Sequence, residues 1–383
     1  MTGFKLGDRG PAVAEIRARL ARLGLLPGSQ YAAAHADEDP LRSGPLPSVD
    51  EPAEWQTTAL VSAEFDPTVE AAVREFQRQR GITVDGIAGP ETFRRLEEAR
   101  WRLGDRVLSY AAAHQTVGED VLGLQQRLNA MGFPCGREDG HLGPQTDAAI
   151  REFQRNTGIR PDGVCGPATF RALGQLKRTV GKASGQAVRE KYSLNEIRTG
   201  VRGKVVVLDP GAGVAEAGIC ADLASRVEGR LIALGTQVMV TRSLTVPPTG
   251  APADDLTRAA FANEVGADLV LNLTVADDPQ RGAGVATYFY GHDDTGSQSV
   301  PGQLAATLLL DGIVERTDLP SLDRHCRTWD LLRLTRMPTV RIECGNLCEA
   351  SDTSRLTDPV FTDSLARAIA ASVERFFSPE HVF

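Results

Sequence analysis

Lys204 to Glu216 reads KVVVLDPGAGVAE. Four apolar residues, Val205, Val206, Val207 and Leu208, run into Asp209-Pro210-Gly211, and Ala212 follows. The pattern predicts a buried strand ending in a tight turn, the place where an α/β fold presents its chemistry. The residue at the tip carries only a methyl group, which binds no metal and moves no proton. Working outward, strand and helix alternate to the end of the chain. Strands are predicted at Val205–Leu208, Gln237–Thr241, Leu269–Leu273, Gly284–Tyr290 and Thr339–Glu343. Helices are predicted at Ala221–Leu234, Asp254–Val265, Gly302–Glu315 and Asp363–Phe376. This alternation implies an α/β domain over residues 203–383 with a mostly parallel central sheet.

The first half is a duplication. Val13, Ile16, Leu20 and Leu23 keep helical spacing before Gly24, and Val121, Leu124, Leu128 and Met131 repeat it before Gly132, 108 residues later. AVREFQRQRGITVDGIAGPETFRRL (Ala72 to Leu96) matches AIREFQRNTGIRPDGVCGPATFRAL (Ala149 to Leu173) at an offset of 77. The difference of 31 residues is an insertion in the first copy, at about 28–65, rich in Ala, Ser, Pro and acidic residues. Each copy predicts three helices joined by turns of the form D-G-x-x-G-P-x-T. Asp and Gly form the turn, and the proline starts the next helix. The second copy has one more such turn, Asp139 to Thr146, where the first keeps only Phe65-Asp66-Pro67-Thr68. The modules are placed at 1–102 and 103–178, with a polar hinge at 179–202.

Over 383 residues the net charge is −8, which argues against nucleic-acid partners. The start, MTGFKLGDRGPAVAEIRARL, has no apolar h-region, and no apolar run is long enough to span a membrane. The expectation is a cytoplasmic chain without a transmembrane segment. The six cysteines form no CxxC and are too sparse for a disulfide framework, so buried free thiols are expected.

Two copies of GP-x-TF and REFQR at fixed spacing resemble the peptidoglycan-binding module, a three-helix fold that in its family binds cell-wall glycan and stem peptide. The turn residues are explained by geometry alone, so they are expected to build the fold. LDPGAG, DLVLNLTV and MPTVRIECGNLCEASD stand in the order of the signature stretches of the zinc N-acetylmuramoyl-L-alanine amidases (amidase type 3). The fold class that follows is multidomain: two all-α three-helix peptidoglycan-binding modules, then an α/β amidase-like domain.

Those amidases cut the amide between muramic acid and the stem peptide. The resemblance implies a metal-binding His at Ala212, a Glu at Glu216, a second His at Thr274 and a catalytic base at Glu343. Both imidazoles are therefore absent and both carboxylates are present. Two carboxylates make a poor zinc site at neutral pH, so no zinc and no other cofactor is expected, and Glu343 is left with no water to activate. His325 and Cys326, with Asp323, are read as loop residues, since adjacent side chains rarely aim at one centre. Cys344 beside Glu343 is a poor nucleophile, because a neighbouring carboxylate disfavours the thiolate.

The stretch Arg327 to Pro338, RTWDLLRLTRMP, is dense in basic and aromatic residues and offers Arg327, Trp329, Arg333 and Arg336 as a ligand or partner surface. The whole layout resembles a regulatory branch of the amidase family. What that implies is a catalytically inactive cytoplasmic regulator of peptidoglycan-precursor synthesis. Its expected partner is MurA, the enolpyruvyl transferase of the first committed step, with control by a serine/threonine kinase. The stretch after the last helix is only SPEHVF, so such control would have to use Ser378 or the insertion. Two alternatives stand beside this reading. One is a working amidase with non-standard zinc ligands. The other is a sensor whose emptied pocket binds muramoyl-peptide or lipid-linked precursor.

Overall fold

The computed structural model describes residues 3–26, 64–112, 116–176, 194, 197–242, 244, 253–292 and 297–379. The insertion and most of the hinge lie outside the described residues. The chain divides into two compact units, residues 1–186 and 187–383.

In the first unit, α1 (Pro11–Arg22), α2 (Pro67–Arg80) and α3 (Pro90–Glu98) make one three-helix set. A second set is α4 (Glu119–Ala130), α5 (Pro144–Asn156) and α6 (Pro167–Leu176). Val13, Ile16, Leu20, Val73 and Phe76 close one core, and Val121, Leu124, Leu128, Ile150 and Phe153 the other. Proline opens α1, α2, α3 and α5, where its missing N–H costs nothing.

Each D-G turn is held by a buried glutamine from a preceding helix. Gln77 Nε2 donates to Asp85 Oδ1 (2.8 Å), the Ile87 carbonyl (3.0 Å) and Thr92 Oγ1 (3.0 Å), and its Oε1 accepts from the Gly86 N–H (2.9 Å). Gln154 repeats the pattern on Asp162, Val164, Thr169 and Gly163. Gln125 repeats it on Asp139, His141, Thr146 and Gly140. Each amide is thereby satisfied at both ends, as a buried polar group must be. At the repeat offset of 108, Gln125 corresponds to Arg17. There the turn is replaced, and Arg17 Nη1 instead reaches Asp66 Oδ2 at 2.5 Å. Asp66 also caps α2, accepting from the N–H groups of Thr68 (2.9 Å) and Val69 (3.0 Å).

The second unit is a seven-stranded sheet. Its strands are β1 (Val205–Pro210), β2 (Gln237–Val240), β3 (Leu269–Ala276), β4 (Val285–His292), β5 (Ser297–Gln298), β6 (Ser321–Arg327) and β7 (Thr339–Asn346). The order is β2-β1-β3-β7-β4, with β5 and β6 both paired to β4. Pairings β1–β2, β1–β3, β3–β7 and β4–β6 are parallel, while β4–β7 and β4–β5 are antiparallel. The sheet is thus mixed and mostly parallel. Helices α7 (Ala217–Ala233), α9 (Val300–Thr317) and α12 (Pro359–Phe377) cover one face and share the main core with Leu208, Leu271, Leu273, Val340 and Ile342. On the other face α8 (Asp255–Glu264) covers Val207 and Val270. Short helices α10 (Asp330–Leu334) and α11 (Ala350–Leu356) complete the unit.

Where the DRHCR stretch is read as loop, the structure has strand β6. Asp323, Arg324 and Arg327 interrupt it and none of its residues is buried, so it lacks the apolar alternation that marks a strand, and edge strands commonly look like this. The last helix begins at Pro359 rather than Asp363, because Asp358 accepts from the Val360 N–H and caps it.

Candidate functional site

Strand register sets the site. Across the sheet, Asp209, Asn272, Arg341, Tyr288 and His325 pair in one row, from β1 through β3, β7 and β4 to β6. Two residues on, Thr274, Glu343 and Ala286 form the next row. Side chains two apart on a strand share a face, so both rows project from the sheet face opposite the main core.

The β1 end is an anchored turn. Asp209 is buried and accepts from Thr241 Oγ1 (2.5 Å) and Asn272 Nδ2 (2.8 Å), and it is ion-paired with Arg258. Burial pushes its carboxyl above the usual carboxylate range, against the pull of Arg258. Arg242 gathers the turn's carbonyls, donating to Pro210 (3.2 Å), Gly211 (2.7 Å) and Ala217 (3.1 Å). Gly211 makes room for Glu216: a Cβ at Gly211 would lie 2.6 Å from the Glu216 carboxyl. Ala212 follows as a half-buried methyl.

Glu216 stands at the N-terminus of α7. Its Oε2 accepts from the Val275 N–H (2.8 Å) and its Oε1 from the Gly213 N–H (3.3 Å). Thr274 is buried and donates from Oγ1 to the Ile342 carbonyl at 3.3 Å. The turn after β1, the start of α7 and the C-terminal parts of β3 and β7 place Ala212, Glu216, Thr274 and Glu343 at the same end of the sheet.

Glu343 is enclosed by positive charge. Arg281 Nη1 lies 2.6 Å from Oε2, Arg341 Nη2 lies 3.1 Å from Oε1, and Tyr288 Oη donates to Oε2 at 2.9 Å. Its side chain is 9% exposed. Burial and the Glu343 charge push the Tyr288 phenol up to about 12, so it stays a hydrogen-bond donor. The next residue, Cys344, is pushed up to about 12 by burial and then by Glu343, which keeps it a thiol. No disulfide joins the six cysteines, and of them Cys135, Cys165, Cys220 and Cys344 are buried, Cys348 is exposed and Cys326 half-buried.

A catalytic zinc needs three nitrogen or carboxylate donors and one open position. The residues here do not fit it. Ala212 offers no donor, and the Thr274 hydroxyl is committed to a backbone carbonyl. Glu216 is held by two backbone N–H groups, and both Glu343 oxygens already face cations. Among the described residues no cluster of three His, Cys, Asp or Glu is placed to hold a metal.

Beside this pocket runs an aromatic and cationic wall. Tyr288 packs against Trp329 (ring centroids 4.8 Å apart) and His325 (5.4 Å). Arg341 lies over the Trp329 ring at 4.9 Å, and Arg327 over Tyr288 at 5.9 Å. His325 Nε2 is 2.8 Å from the Leu322 carbonyl, and His325 and Cys326 alternate across β6, so they share no centre. Of the four residues expected at a surface, Arg327 and Trp329 belong to this wall and Arg336 is exposed. Arg333 does not belong there: it is 4% exposed and bonds Asp330 at 2.8 Å. It lies on the inward side of α10, where a buried cation needs a carboxylate. Arg242, Arg258, Arg281 and Arg341 are the site residues that sequence reasoning misses. Their roles come from cross-strand and loop packing, and only Arg341, two residues before Glu343 on a strand, carries a signal in the sequence.

Comparison with known proteins adds the following. The peptidoglycan binding domain profile matches residues 56–96 and 117–173, and the N-acetylmuramoyl-L-alanine amidase profile matches residues 200–375. A Mycobacterium tuberculosis protein named N-acetylmuramoyl-L-alanine amidase CwlM is 38% identical over 98% of this chain and 89% of its own length. The Bacillus subtilis amidase LytC is 27% identical over 46% of this chain and 36% of its own. Among solved structures, the amidase Ami1 of Mycobacterium smegmatis is 21% identical with a TM-score of 0.41, covering 47% of this chain and 99% of that one.

Proposed function

The chain belongs to the N-acetylmuramoyl-L-alanine amidase family, in the form that joins paired peptidoglycan-binding modules to the amidase fold, and from that premise we propose that it is a catalytically silent member acting as a cytoplasmic regulator of peptidoglycan-precursor synthesis. One observation carries this reading: the family's base position, Glu343, is neutralised by Arg281 and Arg341 in a pocket with no imidazole at Ala212 or Thr274. A carboxylate so held has no polarised water to deprotonate. Cysteines without disulfides agree with a reducing compartment. The expected partner, MurA, and control by a serine/threonine kinase rest on the resemblance in layout, and so do the contacts of the modules with wall precursors.

The test uses the full chain. Incubated with muropeptides it releases no stem peptide, and added to MurA it raises the rate of enolpyruvyl transfer. Release of stem peptide by a protein carrying stoichiometric zinc overturns the proposal in favour of a working amidase with non-standard ligands. A second reading, a sensor of muramoyl-peptide or lipid-linked precursor, is favoured by the wall of Trp329, Tyr288 and Arg327 beside the pocket. A soluble muramoyl-peptide at about 100 times its dissociation constant would then stabilise the chain by about 2.7 kcal/mol. No shift in the melt at that concentration counts against it.

A further inference from the structure

Arg281 makes the shortest contact to Glu343, 2.6 Å from Nη1 to Oε2. It sits in the loop after β3, and its carbonyl accepts from Asn346 Nδ2 at 2.5 Å, which ties that loop to the end of β7. The side chain is 15% exposed, and its Nη1 and Nη2 are buried without a hydrogen-bond partner. Its contact with Glu343 is therefore charge against charge, not an aligned hydrogen bond. Arg341 holds the opposite oxygen, is 34% exposed and is supported by the Trp329 ring. Around one carboxylate the pocket thus has two cations, the inner one carried on a loop tied to the end of β7.

We infer that Arg281 is the resident counter-cation of this pocket, occupying the role that a divalent metal would have, so that the pocket rejects a metal by charge as well as by missing ligands. The inference rests on the reading of a metal-free, catalytically silent site and deepens it. Like charges a few ångströms apart in a partly buried site repel strongly. Restoring the two imidazoles at Ala212 and Thr274 would complete a donor set with Glu216, yet a zinc ion arriving there would meet the Arg281 guanidinium. Glu343 would give it no compensation, because its charge is already balanced.

The experiment measures zinc binding to the full chain by competition with a chromophoric chelator. Four proteins are compared: the native chain, A212H/T274H, A212H/T274H with Arg281→Gln, and A212H/T274H with Arg281→Lys. Each is accepted only if it melts cooperatively, and Arg281→Met replaces the glutamine variant if that one does not. The expected result is no stoichiometric zinc in the native chain, at least tenfold tighter binding in the Gln variant than in A212H/T274H, and no gain in the Lys variant, which keeps the charge. If A212H/T274H binds zinc within threefold of the Gln variant, or the Lys variant binds as the Gln variant does, charge at position 281 is not the barrier and the inference falls alone. If the native chain binds one zinc, the silent-site reading falls with it.

Discussion

Removing one negative charge at Glu343 leaves two guanidiniums facing each other across a small pocket. Glu343→Gln is expected to destabilise the second unit by about 2–4 kcal/mol, the loss when one partner of a largely buried ion pair is removed, moderated by solvent at Arg341. Urea unfolding measures it. A residue serving only as a catalytic base would leave stability nearly unchanged. Asp209→Ala is expected to cost about 3–5 kcal/mol by the same measurement, because it removes the buried acceptor shared by the Thr241 hydroxyl, the Asn272 amide and the Arg258 guanidinium. The positions of Ala212, Glu216, Thr274 and Glu343 are legible in the sequence through its resemblance to the amidase signature stretches; periodicity marks the strands beside them but not the start of α7, which lies at Ala217 where the apolar pattern places it at Ala221. The arginines that answer them are not, because which guanidinium meets which carboxylate depends on register between β3, β7 and β4, and no local pattern encodes it.

At the scale of elements, the helical modules read more plainly than the sheet. The D-G turns, the helix-starting prolines and the apolar spacing are local signals, whereas β6 is a charged edge strand and α10 and α11 are too short to show a period. The glutamine clamps tie helix to turn through four hydrogen bonds each. Gln77→Ala, Gln125→Ala and Gln154→Ala should each cost about 2–4 kcal/mol in thermal unfolding, since each leaves buried turn groups without partners. Where the first module lacks a clamp, Asp66 does the pinning. Burial raises its carboxyl, but the Arg17 hydrogen bond and the two capping N–H groups prevail, and its pKa is lowered on folding. A group depressed in the folded state stabilises above its unfolded pKa and loses that contribution as pH falls through the folded one. Asp66→Ala should therefore cost about 1–2 kcal/mol at neutral pH. The difference from the native chain should shrink as pH drops below about 4. A pH series of urea melts tests this, and a gap that stays constant into acid would refute it.

For the molecule as a whole, the core clusters among the described residues respect the division at residue 186: two belong wholly to the first unit and three to the second. Each unit thus owns the apolar burial that folding requires. Residues 187–383 produced alone are expected to melt cooperatively within a few degrees of their transition in the full chain, as followed by circular dichroism. Loss of cooperativity would show that the first unit completes the fold of the second. The same independence gives the three clamping glutamines a spectroscopic use. A carboxamide whose donors and acceptor are all engaged inside the protein exchanges its protons slowly with solvent. In a nitrogen-15 spectrum of the first unit, Gln77, Gln125 and Gln154 would appear as three long-lived side-chain pairs, each a private indicator of one turn. A wall fragment or protein that opens a single turn would bleach one pair and leave its two sisters lit.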